Sequence, residues 1–169
     1  GKWSHNNGAY RNAIPLPGGA WTFVQALGAA GYECRAFGKM HFCPVRADHG
    51  FERLELSEEV PSAVAEDDFL IDLHAAGFDH IDDAHGVRHH MYYLPQPSQL
   101  PDELHTTTWT AQRTIDFLES REPDDRPFFA FTSFINPHPP FDPTIPFASL
   151  HDPAALPSPA RGANDRETA

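Results

Sequence analysis

Two short segments of this sequence carry basic side chains that could bind an anion. Residues 38–42 (GKMHF) follow a short predicted strand, and residues 136–140 (NPHPP) follow an apolar one. Lys39 and His41 are two positions apart, so in extended backbone they project to the same side. Together with the imidazole of His138 they could bind a tetrahedral oxyanion and protonate a leaving oxygen. Taken alone, these residue types indicate an anion site without identifying a reaction.

The elements that must position these segments alternate between helix and strand. Thr22 and Gln25 have capping-box spacing, and Gly31 suits the end of the helix that they begin. The apolar run at 128–135 is typical of a strand covered on both faces. The predicted helices cover 22–31, 67–76 and 103–121, and the predicted strands cover 33–37, 51–57 and 128–135. This order predicts an α/β fold in which ligands bind beyond the carboxyl ends of the strands.

Composition limits the classes of partner. The 169 residues carry a formal net charge of -12, which argues against nucleic acid, because a phosphate backbone requires basic surface. No apolar stretch approaches the roughly 20 residues of a membrane span. The two cysteines, Cys34 and Cys43, do not make a disulfide framework. An anionic substrate therefore requires a local concentration of positive charge against an unfavourable overall field.

Four segments, in order along the chain, resemble the sulfatase family of the alkaline-phosphatase superfamily. They are the opening GKWSHNNG, the GKMHF segment with the DHGFERLELSEE run after it, the helix HTTTWTAQRTIDFLE, and PFFAFTSFINPHPPFDP. The resemblance covers most of positions 1–150 and implies part of a mostly parallel, alkaline-phosphatase-like sheet flanked by helices. Residues 151–169 are expected to form a Pro-rich, polar loop or frayed end.

The resemblance also implies roles for individual residues. Lys39 would contact the sulfate and the nucleophile, and His41 would orient or deprotonate that nucleophile. His138 would bind the sulfate near the leaving oxygen, with a general-acid role open to it. Three further residues are candidates for contacts at the edge of the substrate pocket: His5, Asn7 and Tyr93.

The nucleophile and cofactor implied by the family are not found in this sequence. Sulfatases use a formylglycine made within Cys/Ser-x-Pro-x-Arg, which the resemblance places about 10 residues before Gly1. They also use a divalent cation, usually calcium, held by hard oxygen ligands. We expect the carboxylate ligands to lie outside 1–169, and the chain by itself to be inactive.

The leading functional prediction is hydrolysis of a small-molecule or carbohydrate sulfate ester. Phosphonate monoester or phosphodiester hydrolysis on the same scaffold is the nearest alternative, and a non-catalytic anion-binding protein is another. A thiol enzyme that uses Cys34 or Cys43 is a weaker alternative, because nothing in the sequence activates either thiol. Oligomeric state and cellular compartment are left open by the sequence.

The stretch 78–99 is long and irregular, and it is rich in Asp, His and Tyr. Such a loop is usually functional or poorly ordered. Its acids and imidazoles suggest zinc, but no His-x-x-x-His or Cys pair supports that assignment. We therefore favour a solvated loop that lines the substrate entrance, with Tyr92 and Tyr93 covering the core. Trp21 and Trp109 are predicted to pack on their helices.

Overall fold

A three-stranded parallel sheet organises the chain. The computed structural model describes residues 2–158, 160 and 162. Strand β1 (Glu33–Gly38) lies between β2 (Arg53–Leu56) and β3 (Phe128–Ser133), and it pairs in parallel with both. Because all three strands run in the same direction, their carboxyl ends meet at one edge of the sheet. The α/β class and the parallel sheet are as predicted.

Helices flank and connect the strands. They are α1 (Ser4–Asn7), α2 (Phe23–Ala29), α3 (Asp68–Ala75), α4 (Thr106–Glu119) and α5 (Ile145–Ala148). Single turns of 3₁₀ helix occur at Val64–Glu66, His89–Met91, Asp102–Leu104 and Pro153–Ala155. The predicted frayed end over 151–169 falls partly on positions 159, 161 and 163–169, which lie outside the described residues.

Local sequence signals locate most of these elements. The capping box of α2 is present: Gln25 N donates to Thr22 Oγ1 at 3.1 Å, and Thr22 N donates to Gln25 Oε1 at 2.9 Å. Gly31 follows that helix with a φ of +92°, a conformation that glycine adopts without a Cβ penalty. Asp67 caps α3 by accepting Leu70 N at 2.8 Å.

Helix α4 begins three residues later than predicted. The helix begins at Thr106, because His105 has extended backbone and its Nδ1 accepts Thr107 N at 3.2 Å. Two of its apolar residues, Ile115 and Leu118, are 43% and 45% exposed. The buried side chains are instead Thr106, Trp109, Thr110 and Phe117. The packing prediction for Trp109 is therefore confirmed.

The buried core lies around β1 rather than around β3. Cys34, Ala36 and Phe37 of β1 have no exposed surface. In contrast, Phe128 and Phe131 of β3 are 41% and 43% exposed, so the expectation of a strand covered on both faces was wrong. The reason is topological, because β1 pairs on both sides whereas β3 pairs only with β1 among the described strands.

Aromatic contacts attach the helices to the sheet. Phe117 of α4 packs against Phe37 with ring centroids 5.7 Å apart. A second cluster on α3 and α4 includes Phe69 and Trp109, whose centroids are 5.8 Å apart. No helix in the described part of the chain is long and apolar enough to cross a bilayer.

Gly38, the last residue of β1, lies where a side chain does not fit. Its φ is +88°, and a Cβ there would lie 2.1 Å from the carbonyl oxygen of Ser133 and 2.8 Å from Thr110 Cγ2. This glycine lets β1 approach β3 closely at the edge where the basic segments begin.

We predict that Gly38→Ala destabilises the protein by about 3 kcal/mol or more, because left-handed strain and overpacking add. Gly77→Ala is the matched control, since Gly77 shares the φ of +88° but has no heavy atom within 4 Å of its Cβ position. That control should cost only about 1 kcal/mol. Urea unfolding at pH 7 measures both, and equal losses would contradict the steric explanation.

Candidate anion-binding site

The site is built where the three parallel strands end. Lys39 follows β1, and its backbone N–H donates to Ser133 O of β3 at 2.9 Å. On the other side, Ser57 N donates to Gly38 O at 3.2 Å. These bonds extend the sheet by one residue and fix the directions in which the chain leaves each strand. The segments after all three strands therefore share one edge.

The carboxylate of Glu59 is the point at which the basic side chains meet. Lys39 Nζ lies 2.6 Å from Glu59 Oε2. Arg88 NH2 lies 3.0 Å from Glu59 Oε1, and His138 Nδ1 lies 3.4 Å from the same oxygen. The structure thus brings together Lys39 and His138, which are far apart in sequence.

This cluster is locally positive within a strongly acidic chain. Lys39 and Arg88 supply two positive charges and Glu59 one negative charge, which leaves one net positive charge before His138 is protonated. Burial acts to raise the pKa of Glu59, but hydrogen bonds from Lys39 and Arg88 outweigh it and lower that pKa. Glu59 is therefore ionised at neutral pH, and the cations are held in place by a fixed charge.

Two further carboxylates, those of Glu58 and Asp67, hold the backbone beside Lys39. The buried side chain of Glu58 accepts both Met40 N and His41 N at 2.9 Å. In turn, Glu58 N donates to Asp67 Oδ2 at 2.6 Å. Burial raises the pKa of Asp67 to about 6, although the backbone hydrogen bonds from Glu58 and Leu70 act to lower it. The start of α3 and the turn after β1 are thus tied together.

His41 lies in a different direction from the one that extended backbone predicts. Its φ is +57°, in the left-handed region that few residues other than glycine occupy. The exposed residue lines a small cavity of about 200 Å³ with Ala9, the segment 11–14, Phe42 and His49. The described contacts place Lys39 and His138 at Glu59 but do not include His41 there, so its predicted role stays a prediction.

The ring of His138 is oriented by contacts on one nitrogen. Nδ1 lies 2.7 Å from the carbonyl oxygen of Pro139 as well as 3.4 Å from Glu59 Oε1. Two oxygen acceptors at Nδ1 favour the tautomer that carries its proton there. Nε2 has no hydrogen-bond partner among the described residues.

The irregular stretch 78–99 reaches this site through Arg88. The Arg88 guanidinium also donates to Glu59 O at 3.1 Å and lies 5.5 Å from the Tyr92 ring centroid. Tyr93 packs edge-on against Tyr92 at 4.8 Å but is 73% exposed. The expectation that Tyr93 covers the core was therefore wrong, whereas its predicted contact with substrate stays a prediction.

The remaining candidates lie elsewhere. His5 is exposed on the short helix α1. Asn7 lines a larger cavity of about 920 Å³ whose walls include Trp21, Phe23 and Phe131. Trp21 is 71% exposed and precedes α2, so the prediction that it packs on a helix was wrong. A substrate role for His5 or Asn7 stays a prediction.

Among the residues that the structure describes, no three His, Cys, Asp or Glu side chains form a group that could hold a metal ion. The acid- and histidine-rich loop therefore does not support the zinc alternative. Cys34 is fully buried, and burial raises the pKa of its thiol, while Cys43 is free and partly exposed. The Cys34 thiol is therefore not activated as a thiol enzyme would require.

Glu58, Glu59 and Arg88 are the site residues that sequence reasoning missed. The two glutamates follow β2 after one intervening residue, Ser57, at the same sheet edge as Lys39. The rule that pointed to Lys39, a polar residue just beyond a parallel strand, would have found them too. No comparable local signal marks Arg88, because it lies within a long irregular loop.

The parallel sheet flanked by helices is of the alkaline-phosphatase-like class. The family model named Sulfatase matches residues 1–152, and the chain belongs to the sulfatase family.

Known proteins show the same kinship. The chain is 28% identical to an arylsulfatase of Clostridium perfringens over 94% of its own length and 35% of that enzyme. It is 33% identical to the multifunctional alkaline phosphatase superfamily protein PehA of Trinickia caryophylli, over 44% of this chain and 14% of that protein. The structure of a phosphonate monoester hydrolase from Agrobacterium radiobacter matches 95% of this chain and 34% of its own, with 25% identity and a TM-score of 0.63. The chain spans about a third of the arylsulfatase's length.

A buried histidine near the site makes stability depend on pH. Desolvation lowers the pKa of His85 to about 4, although Asp142 acts to raise it. Neither ring nitrogen has a hydrogen-bond partner in the described chain, and the ring lies 5.1 Å from that of Phe69. Because the folded pKa is depressed, the neutral ring stabilises the fold above about pH 6.5, and this contribution is lost as the pH falls through about 4.

We predict that His85→Phe leaves stability at pH 7 nearly unchanged, because no hydrogen bond is lost. Below about pH 4 the variant should be more stable than the wild type by up to about 3 kcal/mol. Unfolding midpoints between these two pH values measure the difference. His80→Phe, the same change at an exposed position, should show no such dependence, and parallel curves for wild type and His85→Phe would contradict the assignment.

Proposed function

We propose that this chain forms the oxyanion-binding edge of an enzyme that hydrolyses sulfate monoesters. The supporting observation is the convergence of Lys39 and His138 on one carboxylate at the carboxyl edge of the sheet. Similarity to an arylsulfatase over 94% of the chain supports the same choice of substrate class. A small-molecule or carbohydrate sulfate ester is the substrate that we propose.

The available donor atoms suit this task. One N–H of the Lys39 ammonium is directed at Glu59, and its other two have no partner among the described residues. The Nε2 atom of His138 is likewise without one. Lys39 would hold negative charge on the sulfuryl oxygens, and protonated His138 would donate a proton to the departing alcohol oxygen.

His41 has a separate proposed role. Two hydrogen bonds to Glu58 support its backbone in the left-handed region. Non-glycine residues held in this conformation cluster at functional sites. We propose, from the family resemblance, that its imidazole orients or deprotonates the nucleophile.

The family's nucleophile and cation are not supplied by this chain's described residues. The sequence contains no Cys/Ser-x-Pro-x-Arg, and the described side chains do not form a group that could hold a metal ion. The formylglycine and the calcium ion therefore remain part of the proposal for the complete protein. The steps derived for this chain are anion binding and proton donation alone.

Phosphonate monoester or phosphodiester hydrolysis is the second candidate function. One observation favours it: the structural match to a phosphonate monoester hydrolase. Sulfate and phosphate esters both present tetrahedral oxyanions, so the Lys39–His138 pair by itself suits either of them.

The test is a parallel assay of the complete gene product with 4-nitrophenyl sulfate, 4-nitrophenyl phenylphosphonate and bis(4-nitrophenyl) phosphate. We expect the highest kcat/KM for the sulfate. A preference of several orders of magnitude for either phosphorus ester would assign the second function. Absence of turnover with all three would instead favour a non-catalytic anion-binding protein.

Removing either proposed donor should slow sulfate ester hydrolysis. We predict that Lys39→Gln and His138→Gln each lower kcat/KM by about 100-fold or more, the usual effect of removing one oxyanion or proton donor. His151→Gln, an equivalent change at an exposed histidine, should stay within about twofold of wild type. An effect below about threefold for His138→Gln would exclude it as the proton donor.

A further inference from the structure

The side chain of Glu59 has contacts that no role in anion binding explains. A carboxylate beside an anion site repels the anion that the site must bind. Nevertheless, its side chain is only 10% exposed and its two oxygens meet three basic groups. Such a group requires an explanation other than substrate affinity.

The two carboxylate oxygens of Glu59 contact different basic groups. Oε2 accepts Lys39 Nζ at 2.6 Å, whereas Oε1 is shared by Arg88 at 3.0 Å and His138 at 3.4 Å. Lys39 has a long, flexible stem, and a lysine loses rotamer entropy whenever it must adopt one position. The fixed carboxylate makes that selection before any substrate binds.

Glu59 also acts on the proton of His138. Together with the Pro139 carbonyl oxygen at 2.7 Å, it presents acceptors to Nδ1 alone. This arrangement keeps Nδ1 protonated and leaves Nε2 to face the reacting group. A carboxylate that orients a catalytic imidazole in this manner affects the reaction without touching the substrate.

Arg88 compensates for the charge that Glu59 introduces. Its guanidinium contacts both the carboxylate and the backbone carbonyl of Glu59. With Arg88 present, the cluster keeps a net positive charge, and Glu59 stays ionised. The loop 78–99 thereby contributes to the site through Arg88, which need not contact the substrate.

We propose that Glu59 is a positioning residue, which selects the rotamer of Lys39 and the Nδ1–H tautomer of His138, and whose charge Arg88 offsets. This inference rests on the proposed function for its kinetic readout. Its structural readout, the protonation pattern of His138, does not depend on turnover.

The kinetic test compares Glu59→Gln with Glu33→Gln in the complete gene product. Glu33 also contacts two cations, Arg35 and Arg121, but at the amino end of β1. For Glu59→Gln we expect kcat for 4-nitrophenyl sulfate to fall at least about 30-fold, while KM and the inhibition constant of inorganic sulfate do not rise. Removing a negative charge strengthens ground-state attraction for sulfate, whereas loss of orientation slows the chemistry.

The control and a conservative variant complete the kinetic series. Glu33→Gln should leave kcat and KM within about twofold of wild type. Glu59→Asp, which keeps the charge, should recover part of the lost kcat. If kcat for Glu59→Gln stays within about threefold of wild type, or if KM and the sulfate inhibition constant rise as much as kcat falls, the positioning role is overturned.

The spectroscopic test uses ¹⁵N NMR of the histidine rings at about pH 8.5, where an unperturbed imidazole is neutral. The wild type should show the Nδ1–H tautomer for His138. In Glu59→Gln the two tautomers should both be populated. A wild-type His138 ring protonated on Nε2 alone would overturn the inference. This result needs neither a folded Glu59→Gln variant nor hydrolysis of any ester.

Discussion

The parallel alignment of β1 with both of its neighbours is the constraint on which the site depends. Parallel strands deliver all of their carboxyl ends to one edge, and here that edge receives Lys39, Glu59 and the loop of His138. Antiparallel pairing of any strand would send one of these segments to the opposite end. The close approach at Gly38, where a Cβ would meet the Ser133 carbonyl oxygen, shows how tightly this edge is built.

Two neighbouring carboxylates then convert that edge into an organised site. Glu58 binds backbone N–H groups and sets the path of residues 40–41, whereas Glu59 binds the cationic side chains. The chain has a net charge of -12, and yet Lys39, Arg88 and His138 meet here around one carboxylate, that of Glu59. Local geometry therefore overrides the average field, because contacts of about 3 Å act well within the screening length of about 8–10 Å.

The residues of the site that could be predicted from sequence are those marked by a local sequence pattern. Lys39 and His138 each follow a strand and could be placed at the same edge from that fact alone. His41 could not be placed, because its left-handed backbone depends on Glu58, which is distant in sequence. Arg88 could not be placed either, since no periodicity fixes the direction of a side chain in a long loop.

The fold, too, could be predicted from the sequence only in part. Capping residues and the alternation of helix and strand determined the α/β class and the approximate bounds of α2, α3 and β1. The sequence by itself also determined that two basic segments follow strands, because strand ends are marked by local composition.

Only the tertiary structure decided which face of α4 is buried and which strand is central, since these depend on how large aromatic side chains pack across elements. It alone decided that one acid joins Lys39, Arg88 and His138. Contacts between residues far apart in the chain arise from packing of the whole sheet and leave no periodic trace in sequence.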